Sequence, residues 1–458
     1  MAGIGIELRK LTDNDSFWGF LRAHLYAGIL SSGAWIISIS ILIAIYFYLN
    51  DRLGPVLFSI QFLVVITYLI AVSLILSGIF QHTLNRFIAD RIFDKKLDLI
   101  CPNFFTAILI LTIPATLIGY VSIELLFANQ SLLLKILLVC SFVELNLIWV
   151  FSNAFAGLKK YRFILFSFLI SYAIIFLLAI LLYSYQLPGL MLAFCIGHTL
   201  LLLAFFVFLL HNYPSKKFLG WEIIQFLKKY QSLAYGGFLF YLGVWIDKFC
   251  FWINPNTSLP ILDSLRASPV YDMPIFIAFL LMIPGMSMFF YEIETNFSRY
   301  YHRYYDAIRD GATLQEIHEK HIEVVAMART CIFNTLKVQA FTAAFTIILA
   351  PEILNLLKLS PVFVYLLRID IIASSLLILF IGQLNLLYYL NMPKKAAYMA
   401  LLFFLLNFLF TFCSFYLGPL YYGYGFASAL LVCNVVSFVL LIKSFEKLTY
   451  YSFMSVNN

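Results

Sequence analysis

The residues able to do chemistry stand out because they lie where charge is expensive. Asp247 and Lys248 interrupt a strongly apolar stretch, Arg368 and Asp370 interrupt another, and Glu144 and His198 fall near the middle of two more. An ionisable side chain at membrane depth costs about 2.5–3.5 kcal/mol on insertion scales, so each of these six is a candidate for a substrate path. Adjacent residues point to different faces of a helix. The spacing therefore predicts pairing between helices, Asp247 with Arg368 or Lys248 with Asp370, at similar depth. Glu144 and His198 are expected to face a central cavity. Lys337 lies close enough to the inner surface to snorkel. Gln61, Asn146, Asn153, Gln383, Asn385, Asn407 and Asn434 are further polar candidates, each alone more often a helix–helix hydrogen bond than a substrate contact.

Other chemistries find little support. The seven cysteines are scattered without a Cys-x-x-Cys, so neither a disulfide framework nor a zinc site is indicated. Asp13-Asn14-Asp15 has the Asp-x-Asp form of metal-dependent glycosyltransferases, but no soluble stretch is long enough for their nucleotide-binding domain. A turn or helix cap is the simpler reading. His318-Glu319-Lys320-His321 departs from the His-Glu-x-x-His zinc motif and reads as a solvated helix face. Arg303-Tyr304-Tyr305-Asp306 is too short to specify a nucleotide site. There is no Walker loop, Gly-rich phosphate cradle or nucleophilic triad. The expectation is a protein that is not an enzyme and needs no cofactor or metal.

Composition explains what must position these groups. Of 458 residues, 63% are hydrophobic and 12% charged, where a soluble domain carries about 25% charged residues. The apolar runs reach about 20 residues, enough to cross a hydrocarbon core. They predict an all-α polytopic membrane protein with about twelve spans: 25–49, 56–80, 104–127, 132–156, 164–183, 188–211, 234–253, 273–291, 333–356, 362–390, 397–417 and 420–442. The polar, mixed-charge start and the long first run are unlike a cleavable signal peptide. With both termini in the cytoplasm, only Arg52, Lys135, Arg266 and Lys358 of the 30 Lys and Arg fall in outer segments. Lys248, Lys337 and Arg368 lie within spans, and every other basic residue is inner, as cytoplasmic retention of positive charge requires. The net charge of +7 is then an orientation signal that also suits anionic lipid heads, not a nucleic-acid footprint.

The chain also repeats itself. Tyr26-Ala27-Gly28-Ile29-Leu30 and Gly33-Ala34-Trp35-Ile36 are echoed by Tyr235-Gly236-Gly237-Phe238-Leu239 and Gly243-Val244-Trp245-Ile246. An echo at half the chain length suggests two halves, as in many secondary transporters: 1–212 and 234–458. Residues 213–233 join them as an amphipathic cytoplasmic segment, with Phe218, Trp221, Ile224 and Leu227 on one stripe. Residues 292–330 form the largest cytoplasmic insertion. There Tyr300/Tyr304 and Tyr301/Tyr305 are four apart and stack in rows, Gly311 breaks the run, and Thr313 with Glu316 forms a capping box. Tyr300, Tyr301, Arg303, Tyr304 and Tyr305 suit either a partner-docking platform or an interfacial anchor. The outer loop 254–272 is either an exit lid or a plain connection.

Several unusual strings occur together in order. They are Met1-Ala2-Gly3-Ile4-Gly5-Ile6-Glu7-Leu8-Arg9-Lys10-Leu11, Asp247-Lys248 with Phe251-Trp252, and Ser268-Pro269-Val270-Tyr271-Asp272. Next come Ile283-Pro284-Gly285-Met286 and Glu292-x-Glu294-Thr295-x-Phe297, then the Tyr-rich stretch to Gly311. In these the chain resembles the PelG family, the Pel exopolysaccharide exporters of the MOP flippase superfamily. Where that family tends to have Arg, this chain has Lys248, which keeps the charge and loses the guanidinium fork. The resemblance implies two pseudo-symmetric six-helix lobes of MATE-like fold around a central cavity, in the bacterial inner membrane. It implies export of a polysaccharide rich in N-acetylgalactosamine from cytoplasm to periplasm. The implied partners are a cytosolic glycosyltransferase, a membrane-bound cyclic-di-GMP receptor and accessory membrane proteins. Competing readings are a lipid-linked oligosaccharide flippase, a cation-coupled MATE-type antiporter, and a non-transporting membrane scaffold for the polymerase.

Overall fold

The computed structural model describes residues 8–11, 17–54 and 56–454. The Asp13-Asn14-Asp15 motif and the opening Met1–Glu7 lie outside them. Among the described residues, eleven helical stretches are long and apolar enough to cross a membrane. One of these, Tyr161–Asn212, is 52 residues long. It consists of two helices, α5 (Tyr161–Leu182) and α6 (Gln186–Asn212), folded onto each other across the turn Tyr183–Tyr185. The chain therefore crosses about twelve times, as apolar runs of this length require.

The first helices are α1 (Phe17–Leu53), α2 (Leu57–Phe93), α3 (Ile100–Leu126) and α4 (Leu132–Gly157), followed by α5 and α6. The connecting segment holds only a short helix, α7 (Glu222–Lys229), with its preceding residues non-helical. That segment is fixed by its backbone: the N–H of Gly220 donates to Pro102 O at 3.1 Å and the N–H of Ile223 donates to Asn103 Oδ1 at 2.9 Å. Ile223 is buried there, whereas Phe218 and Trp221 are exposed. Next come α8 (Gln231–Ile253) and a hairpin, β1 (Leu259–Leu262) with β2 (Leu265–Ala267), paired antiparallel. Gln61 and Tyr68 on α2 donate to the carbonyls of Ile261 and Arg266, so the hairpin is clasped to α2.

The later helices are α9 (Pro269–Leu280), α10 (Ile283–Glu292), α11 (Ser298–Arg309), α12 (Leu314–Ile348), α13 (Ala350–Leu356), α14 (Val364–Tyr389), α15 (Pro393–Leu417), α16 (Tyr424–Glu446) and α17 (Leu448–Met454). A π turn, Ile293–Phe297, joins α10 to α11. The stretch 292–330 is thus the extension of two membrane helices: α11 continues α10 across the π turn and packs on α12. Gly311 turns the chain between them with φ of 74°, a conformation glycine adopts without steric cost. Thr313 caps α12, accepting from the Glu316 N–H at 3.3 Å.

By packing, the chain divides into two compact units. One gathers the chain up to Ser32, Ile246–Cys250 and Val270 onward. The other gathers Gly33–Trp245 and Phe251–Pro269. The two helices carrying the sequence echo, α1 and α8, each contribute residues to both. Within the first unit Gly28 faces Ser287, where a Cβ would meet the serine Cβ at 3.4 Å. Within the second, Gly237 presses on α2, where a Cβ would lie 2.1 Å from the Gly78 carbonyl oxygen. The second unit's core is strongly aromatic. Phe151, Phe155, Phe163, Phe205 and Phe208 interlock in edge and stacked contacts with centroids 4.2–5.8 Å apart.

Small residues allow helix backbones to approach inside a membrane. Gly237→Val should therefore force α8 off α2 and lower stability by about 1–3 kcal/mol, the usual effect of overpacking. Thermal unfolding in detergent checks this, and an unshifted midpoint would remove the close-approach argument.

Candidate functional site

The first unit encloses a polar cluster assembled from five helices. Asp247 and Lys248 come from α8, Tyr271 and Phe279 from α9, Asp370 from α14, Asn407 and Thr411 from α15, and Phe426 from α16. Asp247, Tyr271, Asp370 and Asn407 are each 0% exposed. The Asp247 carboxylate is surrounded by donors. Tyr271 donates to Oδ2 at 2.5 Å, Asn407 Nδ2 to Oδ1 at 3.3 Å, and Lys248 Nζ to both oxygens at 3.0 and 3.2 Å. Thr411 donates in turn to Asn407 Oδ1 at 3.1 Å, which orients that amide. The ammonium of Lys248 also lies over the rings of Phe279 at 4.8 Å and Phe426 at 4.5 Å. Two aromatic faces and a carboxylate replace the water that a buried ammonium has lost.

This arrangement corrects the expected pairing. Asp247 is bound by its neighbour in the same helix and not by Arg368. The four-carbon stem of lysine is flexible enough to fold Nζ back beside the preceding residue, so different Cβ directions do not prevent contact. Arg368 instead donates from Nε to the Ile347 carbonyl at 3.2 Å. Asp370 lies near enough for Lys248 and Asp247 to act on it electrostatically. Neither of its oxygens has a hydrogen-bond partner among the described residues. One of them fits against Gly423, whose φ is 84° and where a Cβ would come within 3.0 Å of it.

The other two candidates are in the second unit and separate from each other. His198 is 1% exposed. Its Nδ1 is 2.8 Å from the Phe194 carbonyl, which can only accept, so Nδ1 carries the proton. Nε2 therefore accepts from the Tyr172 hydroxyl at 3.2 Å. Packed against the rings of Phe194 and Tyr172, it is a satisfied core histidine and not a cavity residue. Glu144 lies on a flank with exposed Cys140, Ile196 and Thr199. Its Oε1 accepts from Thr199 at 2.6 Å and from the Cys195 thiol at 3.6 Å, while Oε2 is buried without a hydrogen-bond partner among the described residues.

A second polar constellation includes Asn153, but its other members are not among the sequence candidates. Ser73, Ser77, Gln81 and Asn85 recur every fourth residue of α2 and line one face. Trp149 Nε1 donates to Ser73 at 2.9 Å, Gln81 Nε2 to Ser77 at 3.1 Å, Asn153 Nδ2 to Gln81 Oε1 at 3.2 Å, and the Tyr241 hydroxyl to the same Oε1 at 2.8 Å. Asn85 donates to Asn153 Oδ1. The signal was the four-residue period of hydrogen-bonding side chains in an apolar run. On the α11–α12 extension, Tyr304 is fully buried, its hydroxyl 3.4 Å from Thr449 and Ser452. Tyr301 donates to the Tyr389 carbonyl at 2.6 Å, and the Tyr301 and Tyr305 rings are 4.8 Å apart. Arg303, over the Tyr300 ring at 5.6 Å, remains exposed. His321 reaches the Phe445 carbonyl at 2.8 Å, and Asp306 is paired with Arg309.

The helical architecture is that of a MOP-superfamily transporter. A MOP superfamily transporter from Pyrococcus furiosus, whose binding pocket is described as having reverse polarity, matches with a TM-score of 0.66 at 12% identity, over 92% of this chain and 96% of that one. A multidrug resistance MATE family transporter in an outward-facing conformation matches with a TM-score of 0.67 at 13% identity, over 93% and 96%. A MATE transporter in complex with MaL6 matches with a TM-score of 0.65 at 12% identity, over 93% and 97%. No curated protein matches the sequence. Residues 1–453 match the family model of PelG, the putative exopolysaccharide exporters (EPS-E), and the chain belongs to that family.

Removing one member of a buried ion pair leaves the other uncompensated, at a cost of about 3–5 kcal/mol, whereas removing both together is much milder. Lys248→Met should accordingly destabilise more than Asp247→Asn combined with Lys248→Met, by thermal unfolding in detergent. Strictly additive losses would argue that the pair is not a unit.

Proposed function

We propose that this protein exports an exopolysaccharide across the bacterial inner membrane, from cytoplasm to periplasm, with both chain termini cytoplasmic. The observation that carries the reading is the family match over residues 1–453. The MOP transporter fold and the distribution of basic residues support it. The physical task is set by the cargo. An unpaired hydroxyl or amide costs about 4–8 kcal/mol in pure hydrocarbon, and every sugar carries several. A polymer therefore needs a protein path with polar partners and ring faces, which 29 Tyr and 48 Phe can help to supply.

Within this reading the cargo is a Pel-like polymer rich in N-acetylgalactosamine. A cytosolic glycosyltransferase makes it, and a membrane-bound cyclic-di-GMP receptor with accessory membrane proteins gates delivery. Exposed Arg303, with half-buried Tyr300 beneath it, offers a docking point on α11. A continuously growing chain always occupies its path, which favours threading driven by polymerisation over strict alternation. One observation favours a second reading, cation-coupled antiport: the buried Asp370 carboxyl has no hydrogen-bond partner among the described residues.

Reconstitution in vesicles with the glycosyltransferase on one side tests the first reading. Polymer should accumulate across the membrane from the enzyme. Polymer confined to the synthesis side would overturn export and leave a scaffold role. Fusion of a periplasm-dependent reporter at Asp263 should be active, and fusion at Gly311 silent; the reverse pattern would overturn the orientation.

A further inference from the structure

We propose that the outward face of α12 holds an anionic phospholipid of the inner leaflet, its phosphate between Arg329 and Lys337. The helix has two distinct faces. Val324, Ala328, Cys331, Thr335, Gln339, Ala343 and Thr346 are buried within the first unit. The opposite face carries a shallow groove of about 360 Å³, lined by Arg329, Thr330, Phe333, Asn334 and Lys337. Farther along the same face Phe341, Phe345 and Ile348 are 77%, 56% and 72% exposed. Cations at i and i+8 with an aromatic ring between them, followed by bare apolar residues at i+12, i+16 and i+19, form one continuous stripe.

Charge complementarity selects the occupant. Among the described residues no carboxylate is paired with Arg329 or Lys337. The Arg329 guanidinium rests over Phe333 at 5.6 Å, and its remaining N–H groups can turn to an anion. Thr330 is already committed to the Ala326 carbonyl, so the two cations are the donors that matter. Glu292, the carboxylate held by the groove residue Asn334, is 4% exposed and has both oxygens occupied. Oε1 takes the Asn334 amide at 2.7 Å and Oε2 takes Asn296 at 2.6 Å. The groove thus presents unopposed positive charge at the point where α12 passes from its charged start, Leu314–Lys320, into apolar sequence. That is the depth of a phosphate headgroup. A phosphodiester there would direct its acyl chains along Phe341, Phe345 and Ile348. Asn334 joins the groove to Glu292, and through it to the π turn of α10–α11, so an occupied groove would brace that turn. A soluble anion would use the two cations and leave the apolar part of the stripe uncovered.

The test uses the full chain in nanodiscs of phosphatidylcholine doped with phosphatidylglycerol, and native mass spectrometry of the released protein. Wild type should retain phosphatidylglycerol in preference to phosphatidylcholine. Each surface cation contributes about a fivefold effect, so Arg329→Gln with Lys337→Gln should retain about 25-fold less. Lys358→Gln, on an exposed loop, should retain the wild-type amount. Unfolding midpoints in pure phosphatidylcholine should agree between wild type and the double variant, which separates lipid loss from misfolding. Three results would overturn the proposal: equal retention by the double variant, no preference for phosphatidylglycerol, or displacement of the lipid by glycerol phosphate or by a short N-acetylhexosamine oligomer. No step requires export, so the outcome is independent of the transport assay.

Discussion

Polar groups at membrane depth depend on partners inside the protein, because hydrocarbon supplies none. The Asp247 carboxylate shows how strict that is. It is wholly enclosed and takes donors from Lys248, Tyr271 and Asn407, so α8, α9 and α15 are held in one register around a single charge. The lysine ammonium extends the constraint to α16 and to the end of α9 through the rings of Phe426 and Phe279. A slip of any of these helices by one residue would strand a charge at a cost comparable with the stability of a whole domain.

The second unit meets the same requirement chiefly with neutral groups. Its ladder of Ser73, Ser77, Gln81 and Asn85 passes hydrogen bonds from α2 to α4 and α8 through neutral groups. Neutral amides and hydroxyls are cheaper to bury than charges. The two units thus solve one problem with different chemistry, an ionic knot in one and an amide ladder in the other. That difference coexists with a sequence echo in which α1 and α8 share a Tyr-small-Gly string.

The number of crossings, the helical class and the family were legible in the sequence because each rests on patterns extended over many residues. The N-cap at Thr313 and the turn at Gly311 were legible because they depend on local chemistry alone. Side-chain partners were not. The rule that i and i+1 diverge holds for Cβ atoms, and Lys248 evades it with a long stem. His198 looked like a cavity residue because depth can be read from a hydropathy pattern, whereas facing cannot. Tyr301 and Tyr304 turned onto α14 and α17 for the same reason: their partners, Tyr389, Thr449 and Ser452, are distant in sequence. The Ser73–Asn85 ladder was visible in principle as a four-residue period, but each of its members is unremarkable alone.

Adjacency of the two charges has a consequence for biogenesis. Helix α8 leaves the ribosome long before α14 and α15, so its carboxylate must enter the bilayer without Asn407. Because Lys248 follows Asp247 directly, the emerging segment carries its own counter-ion and is neutral as soon as it is made. Asp370 arrives more than a hundred residues later, into a pocket whose charges are already balanced. The order in which the chain is synthesised is therefore also the order in which its ionic debts can be cancelled.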